Sequence, residues 1–325
     1  MERGRQVSTQ SDMLKISSRE LNEKMIRGET FVLIDTLPDE HFKDVHIPGA
    51  KNACVFEVVF LENVGKIVSG KEEAIVVYGS SAKTMDALTA GEKLIRAGYR
   101  NVNVLEGGLV SWRENEYPLE GTHIEVLSAP ADEFRIDTGT FHANIEESVV
   151  EWIGRNANKK HYGTLPLKKG EMTVGDESIG GSFEIDMSGI NNIDLSGDEW
   201  QPVLLSHLMS DDFFFVRMFP KAVFNIKSMI PINASSMSTP NFDVTGDLEL
   251  RGNTNEINFP ATVTPIHKGG IKIEAHFDFD RTRWKIIYGS ARFFEHLGAH
   301  LVFDLVSVQL RLVLTKGDLE DAPTI

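Results

Sequence analysis

The sequence predicts an α/β domain with a parallel sheet, followed by an all-β antiparallel barrel with a short covering helix. Three observations lead to this prediction. The 325 residues exceed the roughly 250–300 at which a single hydrophobic core stops growing, so two domains are expected. In the first part of the chain, short apolar runs alternate with helical patterns. In the second part, apolar residues recur at every second position, which is typical of half-buried strands.

The first part begins with a helix and continues with alternating strands and helices. Ser17 and Glu20 form a capping-box pattern, and Gly28 stands where that helix would end. The apolar spacing between residues 84 and 97 predicts another helix, which Gly98 would end. The order strand, helix, strand indicates a parallel sheet with right-handed crossovers. Three apolar runs have the length of buried parallel strands: 31–34, 74–78 and 102–105.

The second part consists of one-sided strands and one helix. In the segment 224–228, the alternation puts Phe224, Ile226 and Ser228 on one face. A helix is predicted at 201–209, and we expect it to cover one end of the barrel. Strands with a single apolar face need an enclosed interior in which those faces meet. The other alternating segments are 183–187, 242–250, 271–279 and 306–314.

Composition argues against several classes of function. A net charge of −15 disfavours nucleic acid as a partner, because binding to phosphates needs clustered Lys and Arg. Cys54 is the only cysteine, which excludes an internal disulfide and suits a reducing compartment. Residues 1–13 are polar where a secretory signal would be apolar, and no run reaches the roughly 18 apolar residues of a membrane span. We therefore predict a cytoplasmic protein without a membrane span.

No cofactor or metal is predicted. His296 and His300 are four residues apart, but no third ligand stands at metal-binding spacing. The oligomeric state stays open, and a homodimer is one of the alternatives. The change of periodicity sets the domain boundaries: a disordered N-terminus at 1–13, the α/β domain at 14–120, a linker at 121–132, the barrel at 133–316 and an acidic tail at 317–325.

Motifs of the first part resemble those of rhodanese-like domains. The first half carries Val-Leu-Ile-Asp at 32–35 and His-Ile-Pro-Gly-Ala at 46–50. The second half carries Ile-Val-Val-Tyr at 75–78 and Val-Leu-Glu-Gly-Gly-Leu at 104–109. The resemblance implies an α/β rhodanese-like parallel-sheet domain. It also implies that a cysteine after the 75–78 strand would be the nucleophile that carries a persulfide.

This sequence lacks that cysteine, because Gly79 stands in its place. Thr36 likewise replaces the arginine that commonly follows the aspartate of the first motif. Sulfur transfer needs a thiolate, which neither glycine nor the neighbouring hydroxyls can supply. We therefore predict a pseudoenzyme with no catalytic residue. Its degenerate loop consists of Gly79, Ser80, Ser81, Ala82, Lys83 and Thr84.

Two kinds of role remain for this domain. Backbone N–H groups of the loop converge at a helix N-terminus and could bind an anion or dock a protein partner. The alternative is an enzyme, either a sulfurtransferase that uses Cys54 or a hydrolase built on Ser80 and Ser81. A lone cysteine is more often a buried small hydrophobe than a reactive group.

Motifs of the second part resemble the YceI family. They include His-Tyr-Gly at 161–163, Ser-Asp-Asp-Phe-Phe at 210–214, Thr-Gly-Asp-Leu at 245–248 and Phe-Pro-Ala at 259–261. The opening motif, Phe-Arg-Ile-Asp, stands at 134–137. The resemblance spans about residues 133–316 and implies a lipocalin-like antiparallel barrel whose lumen holds a polyisoprenoid, a quinone or a similar lipid.

The predicted function is therefore lipid binding in the barrel, with the rhodanese-like domain as a docking or sensing module. A barrel of about eight strands has room for side chains or for one slender ligand. Parity and resemblance together predict the residues that contact the ligand in the lumen or at its mouth: Phe183, Ile185, Phe213, Phe214, Phe224, Ile226, Phe277, Phe279, Trp284, Val308 and Leu310.

Overall fold

A computed structural model describes residues 13–123, 136–232, 238–266 and 269–317. The chain divides into two compact units, Met1–Asp132 and Glu133–Ile325. Most of the predicted disordered N-terminus, linker and acidic tail lies outside the described residues. Within the described ranges, no helix is both long enough and apolar enough to cross a membrane.

The first unit is a parallel sheet surrounded by helices, as predicted. Its strands lie in the order β1-β5-β4-β2-β3, and every pairing is parallel. The predicted capping box is present, with Ser17 and Glu20 exchanging hydrogen bonds at the start of α1. The elements are β1 (Leu14–Ile16), α1 (Ser18–Ile26), β2 (Val32–Asp35), α2 (Asp39–Asp44), β3 (Lys51–Asn52), α3 (Phe60–Ile67), β4 (Ala74–Tyr78), α4 (Asp86–Arg96), β5 (Asn101–Leu105) and α5 (Gly108–Glu114).

Strand β4 explains why the first unit has continuous apolar runs. Ile75 and Val77 belong to a core on one face of the sheet, and Val76 and Tyr78 belong to a core on the other face. A strand covered by helices on both faces has no solvent side, so it needs no polar alternation. The loops that follow the strands meet at the carboxyl edge of this sheet.

The second unit is a closed antiparallel barrel with one α-helix. The elements are β6 (Gly139–Ala143), β7 (Val149–Arg155), β8 (Lys160–Leu165), β9 (Leu167–Val174), β10 (Ile179–Asp186), β11 (Asn191–Asn192), α6 (Trp200–Met209), β12 (Lys221–Pro231), β13 (Phe242–Leu250), β14 (Asn253–Pro265), β15 (Ile271–Asp280) and β16 (Leu305–Lys316). Eight strands form the ring in the order β6-β9-β10-β12-β13-β14-β15-β16, and β16 returns to pair with β6. Strand β7 pairs with β16 on the same edge as β6, at an earlier part of β16. It also pairs with β8.

The structure confirms the predicted barrel and corrects one face assignment. A β-bulge between Ile226 and Ser228 shifts the register of β12 against β13. Because a bulge adds one residue to the strand, the inward position after it is Met229 and not Ser228, as the unbroken alternation had predicted. Met229 accordingly belongs to the barrel core.

Asp35, at the end of β2, is a buried carboxyl group of the first unit. Its Oδ1 accepts a hydrogen bond from the Leu37 N–H at 2.8 Å. Burial raises the pKa of Asp35, and this effect outweighs the hydrogen bond and the neighbouring His41 and His46. The ionised carboxylate therefore costs stability at neutral pH.

We expect Asp35→Asn to increase the free energy of unfolding at pH 7 by on the order of 1 kcal/mol. The neutral amide can still accept the Leu37 N–H bond. Because the folded pKa is raised, the contribution of Asp35 to stability is present below about pH 4, the ordinary range of its carboxyl, and is lost as the pH rises through the folded value. The advantage of the variant should therefore grow from pH 4 to pH 7 in urea unfolding of the full chain. A variant that is less stable at every pH contradicts this account.

Candidate functional site

The barrel of the second unit contains an internal cavity. Its volume is about 130 Å³. Every described residue that lines the cavity is apolar. An apolar cavity of this kind stays dry and takes apolar molecules.

Strand alternation produces this lining directly. On β16, Val308 and Leu310 line the cavity, whereas Gln309 between them is exposed. On β15, Phe277 and Phe279 do the same on either side of Asp278. The two strands pair in register, with Phe277 opposite Val308. The alternation of apolar and polar residues along these strands thus places the apolar side chains on the wall of the lumen.

Nine of the eleven predicted lumen and mouth residues line the cavity. They are Phe183, Ile185, Phe214, Phe224, Ile226, Phe277, Phe279, Val308 and Leu310. Phe214 is only partly buried, although it packs against the barrel core. The same holds for seven of the strand residues: Ile185, Phe224, Ile226, Phe277, Phe279, Val308 and Leu310. Because these strand side chains point inward, their accessible surface faces the cavity. Ligand binding by these residues stays a prediction.

Phe213 and Trp284 do not line the cavity. Trp284 is fully buried, donates its indole N–H to the Leu248 carbonyl at 2.8 Å and packs edge-on against Phe279. Phe213 is buried with its ring 5.3 Å from that of Tyr288. Both residues belong to the hydrophobic core of the barrel.

Phe259 is a lining residue that the sequence predictions missed. Its ring stacks on Phe277 with centroids 4.2 Å apart, and it lies 5.6 Å from Phe224. The signal was present, because Ile257, Phe259 and Ala261 alternate with polar or exposed positions on β14. Pro260 within the run weakens this signal for a strand, since proline usually argues against a strand interior.

The cavity occupies only part of the barrel. At one end, which we call the packed end, buried side chains fill the interior and do not line the cavity: Phe141, Met172, Phe242 and Leu314. Residues at the opposite end, including Met187, Phe214 and Val306, do line it. Helix α6 and the segment 281–304 lie at that opposite end, which we call the loop-covered end.

Arg281 fixes the segment at the loop-covered end. The buried guanidinium donates to the carbonyls of Phe303 at 3.1 Å, Ile286 at 2.5 Å, Tyr288 at 2.8 Å and Val302 at 3.0 Å. Burial lowers the pKa of Arg281, and the negative charge of Asp304 partly offsets this effect. One buried cation thus holds both ends of the segment together.

The degenerate loop of the first unit lies between β4 and α4 and holds a carboxylate of its own chain. Asp86 accepts hydrogen bonds from the Ser80 N–H at 3.0 Å, the Thr84 hydroxyl at 2.6 Å and the Ala87 N–H at 3.1 Å. Asp86 is only 7% exposed. A Cβ atom on Gly79 would overlap this carboxylate. An external anion would therefore have to displace Asp86, which the sequence predictions did not foresee.

Cys54 is also buried, at 6% exposure. Reactive cysteines are partly exposed and lie in electropositive surroundings. The Ser81 hydroxyl accepts a hydrogen bond from the Lys83 N–H within the loop. These positions give no support to a nucleophile at either place.

We expect Gly79→Cys alone to lower the melting temperature, because its side chain collides with Asp86. The double variant Gly79→Cys/Asp86→Ala should recover most of this loss. Its new thiol should have a pKa below the ordinary value of about 8.5, because the freed N–H groups of the loop stabilise the thiolate. Thermal unfolding and the pH dependence of thiolate absorbance measure the two effects. A single variant as stable as the parent contradicts the collision.

Comparison with known proteins gives two family matches. A model of the YceI-like domain matches residues 135–314, and a model of the rhodanese-like domain matches residues 17–115. The uncharacterized protein YibN of Escherichia coli (strain K12) is 27% identical over 106 residues, which cover 33% of this chain and 72% of YibN.

Many solved structures resemble part of the chain. The crystal structure of Burkholderia cenocepacia BcnA is 16% identical, covers 53% of this chain and 98% of its own, and superposes with a TM-score of 0.42. A polyisoprenoid-binding domain from Saccharophagus degradans is 13% identical, covers 56% of this chain and 100% of its own, and gives a TM-score of 0.38.

Proposed function

This chain belongs to the YceI-like family, and we propose that its barrel binds one long apolar molecule, a polyisoprenoid, an isoprenoid quinone or a similar lipid. The observation that carries the proposal is the cavity whose described lining is apolar throughout. Binding then depends on buried area, at about 0.8 kcal/mol for each methylene group. No polar group of the wall is needed.

The size of the cavity bears on how the ligand fits. A volume of about 130 Å³ is comparable with an engineered cavity of about 150 Å³ that binds benzene. It is smaller than the roughly 300–1,000 Å³ of pockets for drug-sized ligands. A longer chain therefore enters only as lining side chains rotate. Met187 and Met229 line the cavity, and methionine adapts well to such changes because it is unbranched and flexible.

The polar head of such a lipid lies outside the lumen at the loop-covered end. The packed end leaves it no space, because Phe141, Met172 and Leu314 fill the interior there. A polar group inside the apolar wall would lose its hydrogen bonds to water without replacement. The chain of the ligand accordingly enters first.

The rhodanese-like domain serves as a docking or sensing module and performs no sulfur transfer. Two features support this part of the proposal: Gly79 carries no thiol, and Asp86 takes the hydrogen-bond donors that would face a substrate anion. The rival hypothesis, an enzyme that uses Cys54 or the loop serines, has no comparable support.

We expect Val308→Trp to weaken binding of an apolar probe at least tenfold, because the larger side chain fills the lumen. The probe is N-phenyl-1-naphthylamine, whose fluorescence rises in apolar surroundings, and geranylgeraniol should displace it from the parent protein. Gln309→Trp is the matched control, since its side chain points outward on the same strand. Thermal unfolding verifies that both variants fold. Equal binding by the two variants would count against a ligand in the lumen.

Extraction of the protein purified from its native host tests the natural ligand. Mass spectrometry of the organic extract should show one class of long-chain lipid in the parent and much less of it in Val308→Trp. Extracts of parent and variant with the same lipids would show that the lipid is not held in the cavity.

The sulfur-transfer assay from thiosulfate to cyanide tests the first domain. Wild type and Cys54→Ala should both be inactive, because neither has a nucleophile in the loop. Gly79→Cys/Asp86→Ala should gain measurable activity. Activity of the wild type that disappears in Cys54→Ala would establish the rival hypothesis instead.

A further inference from the structure

Large apolar side chains are exposed at the loop-covered end of the barrel, on α6, on the segment 281–304 and, at Met218, between α6 and β12. Trp200 is 60% exposed and Phe293 is 52% exposed. Soluble surfaces carry single apolar residues commonly, but a group of large ones at one place marks an interaction site. We call this set the apolar rim, and it consists of Trp200, Val203, Met218, Phe293, Phe294 and Phe303.

Helix α6 supplies the first part of the rim. Leu204, Leu205 and Leu208 pack against the barrel core. Trp200 and Val203, three residues apart, are exposed on the other side of the helix. A helix that is apolar on both sides is usually covered on both sides. On that second side, Tyr288 contacts His207, whereas Trp200 and Val203 are exposed in the described part of this chain.

The segment 281–304 supplies the second part. Phe293 and Phe294 lie at a turn in which both of their N–H groups bond to the Ser290 carbonyl. The segment exposes three basic residues, Arg283, Lys285 and Arg292, whereas Arg281 is buried. Arg292 forms an ion pair with Asp280. Arg283 and Lys285 are thus exposed cations in the same segment as the aromatic turn, within a chain whose net charge is −15.

Ring contacts and hydrogen bonds join the two parts of the rim. His207 of α6 packs edge-on against Tyr288, with ring centroids 4.7 Å apart. Arg251 donates to the carbonyl of Lys285 at 3.0 Å and to that of Asp211 at 2.5 Å. The rim is thus fixed at the end of the barrel opposite the packed end.

We propose that the apolar rim docks on the surface of a phospholipid bilayer, where the barrel takes up or releases its apolar ligand. The proposal rests on the proposed function, because a long apolar chain resides in bilayers and not in water. A Trp and several Phe side chains beside Arg and Lys match the interface, where rings enter the acyl boundary and cations meet phosphate groups. Docking at this end lets the chain pass into the lumen without crossing water.

Flotation with vesicles tests the proposal on the full chain. The vesicles contain phosphatidylcholine and phosphatidylglycerol at 4:1, and the wild type should float with them. Phe293→Ser/Phe294→Ser should reduce the floated fraction at least fivefold, and Trp200→Ser, from the other part of the rim, should reduce it as well. Ile230→Ser is the matched control, because this exposed residue lies near the packed end on β12. It should float like the wild type.

Binding of N-phenyl-1-naphthylamine in solution separates this proposal from the proposed function. Rim variants that lose flotation but keep probe binding support docking. A wild type that binds the probe but does not float overturns docking and leaves the lumen function intact. A wild type that floats without binding the probe overturns the lumen function instead. An equal loss of flotation in Ile230→Ser, or a dimer that the rim variants abolish, overturns the assignment of the rim to a bilayer.

Discussion

The pairing of β16 on both of its edges is the constraint on which the second unit depends. One edge pairs with β15, and the other pairs with β6 and β7, so the sheet closes on itself. Closure removes exposed edges and turns every inward side chain toward a common interior. Near Leu314 those side chains meet and fill the space. Farther along the barrel they do not meet, and the apolar cavity is what remains between them.

In the first unit, the absence of a side chain at Gly79 and the position of the Asp86 carboxylate depend on each other. Without a side chain at Gly79, the Asp86 carboxylate can enter the loop and satisfy its backbone donors. Buried N–H groups without partners cost free energy, and Asp86 supplies a partner to the N–H groups of Ser80 and Ala87. The parallel sheet beneath it keeps both of its cores. The domain thus combines two hydrophobic cores with a loop that is occupied by its own Asp86 carboxylate.

Sequence periodicity was sufficient for most of the fold, and it failed where tertiary geometry decides. Strands β13, β15 and β16 follow from alternation alone, and with them Phe277 and Val308. A bulge, which alternation does not encode, placed Met229 inward in the position expected for Ser228. Pro260 weakened the sequence signal for the strand that carries Phe259. Asp86 could not be predicted either, because its role depends on a collision-free space beside a glycine in a folded loop.

The guanidinium of Arg281 has a consequence for the proposed entry of a ligand. Arginine has five N–H donors in a rigid plane, whereas lysine has three on a mobile point charge. Only the former can hold four carbonyls from both ends of a long segment at once. A segment anchored in this way is held in one position at both of its ends. Under the proposed function, entry of the ligand then depends on rotamer changes of the Phe and Met side chains that line the cavity, and no large backbone movement is required.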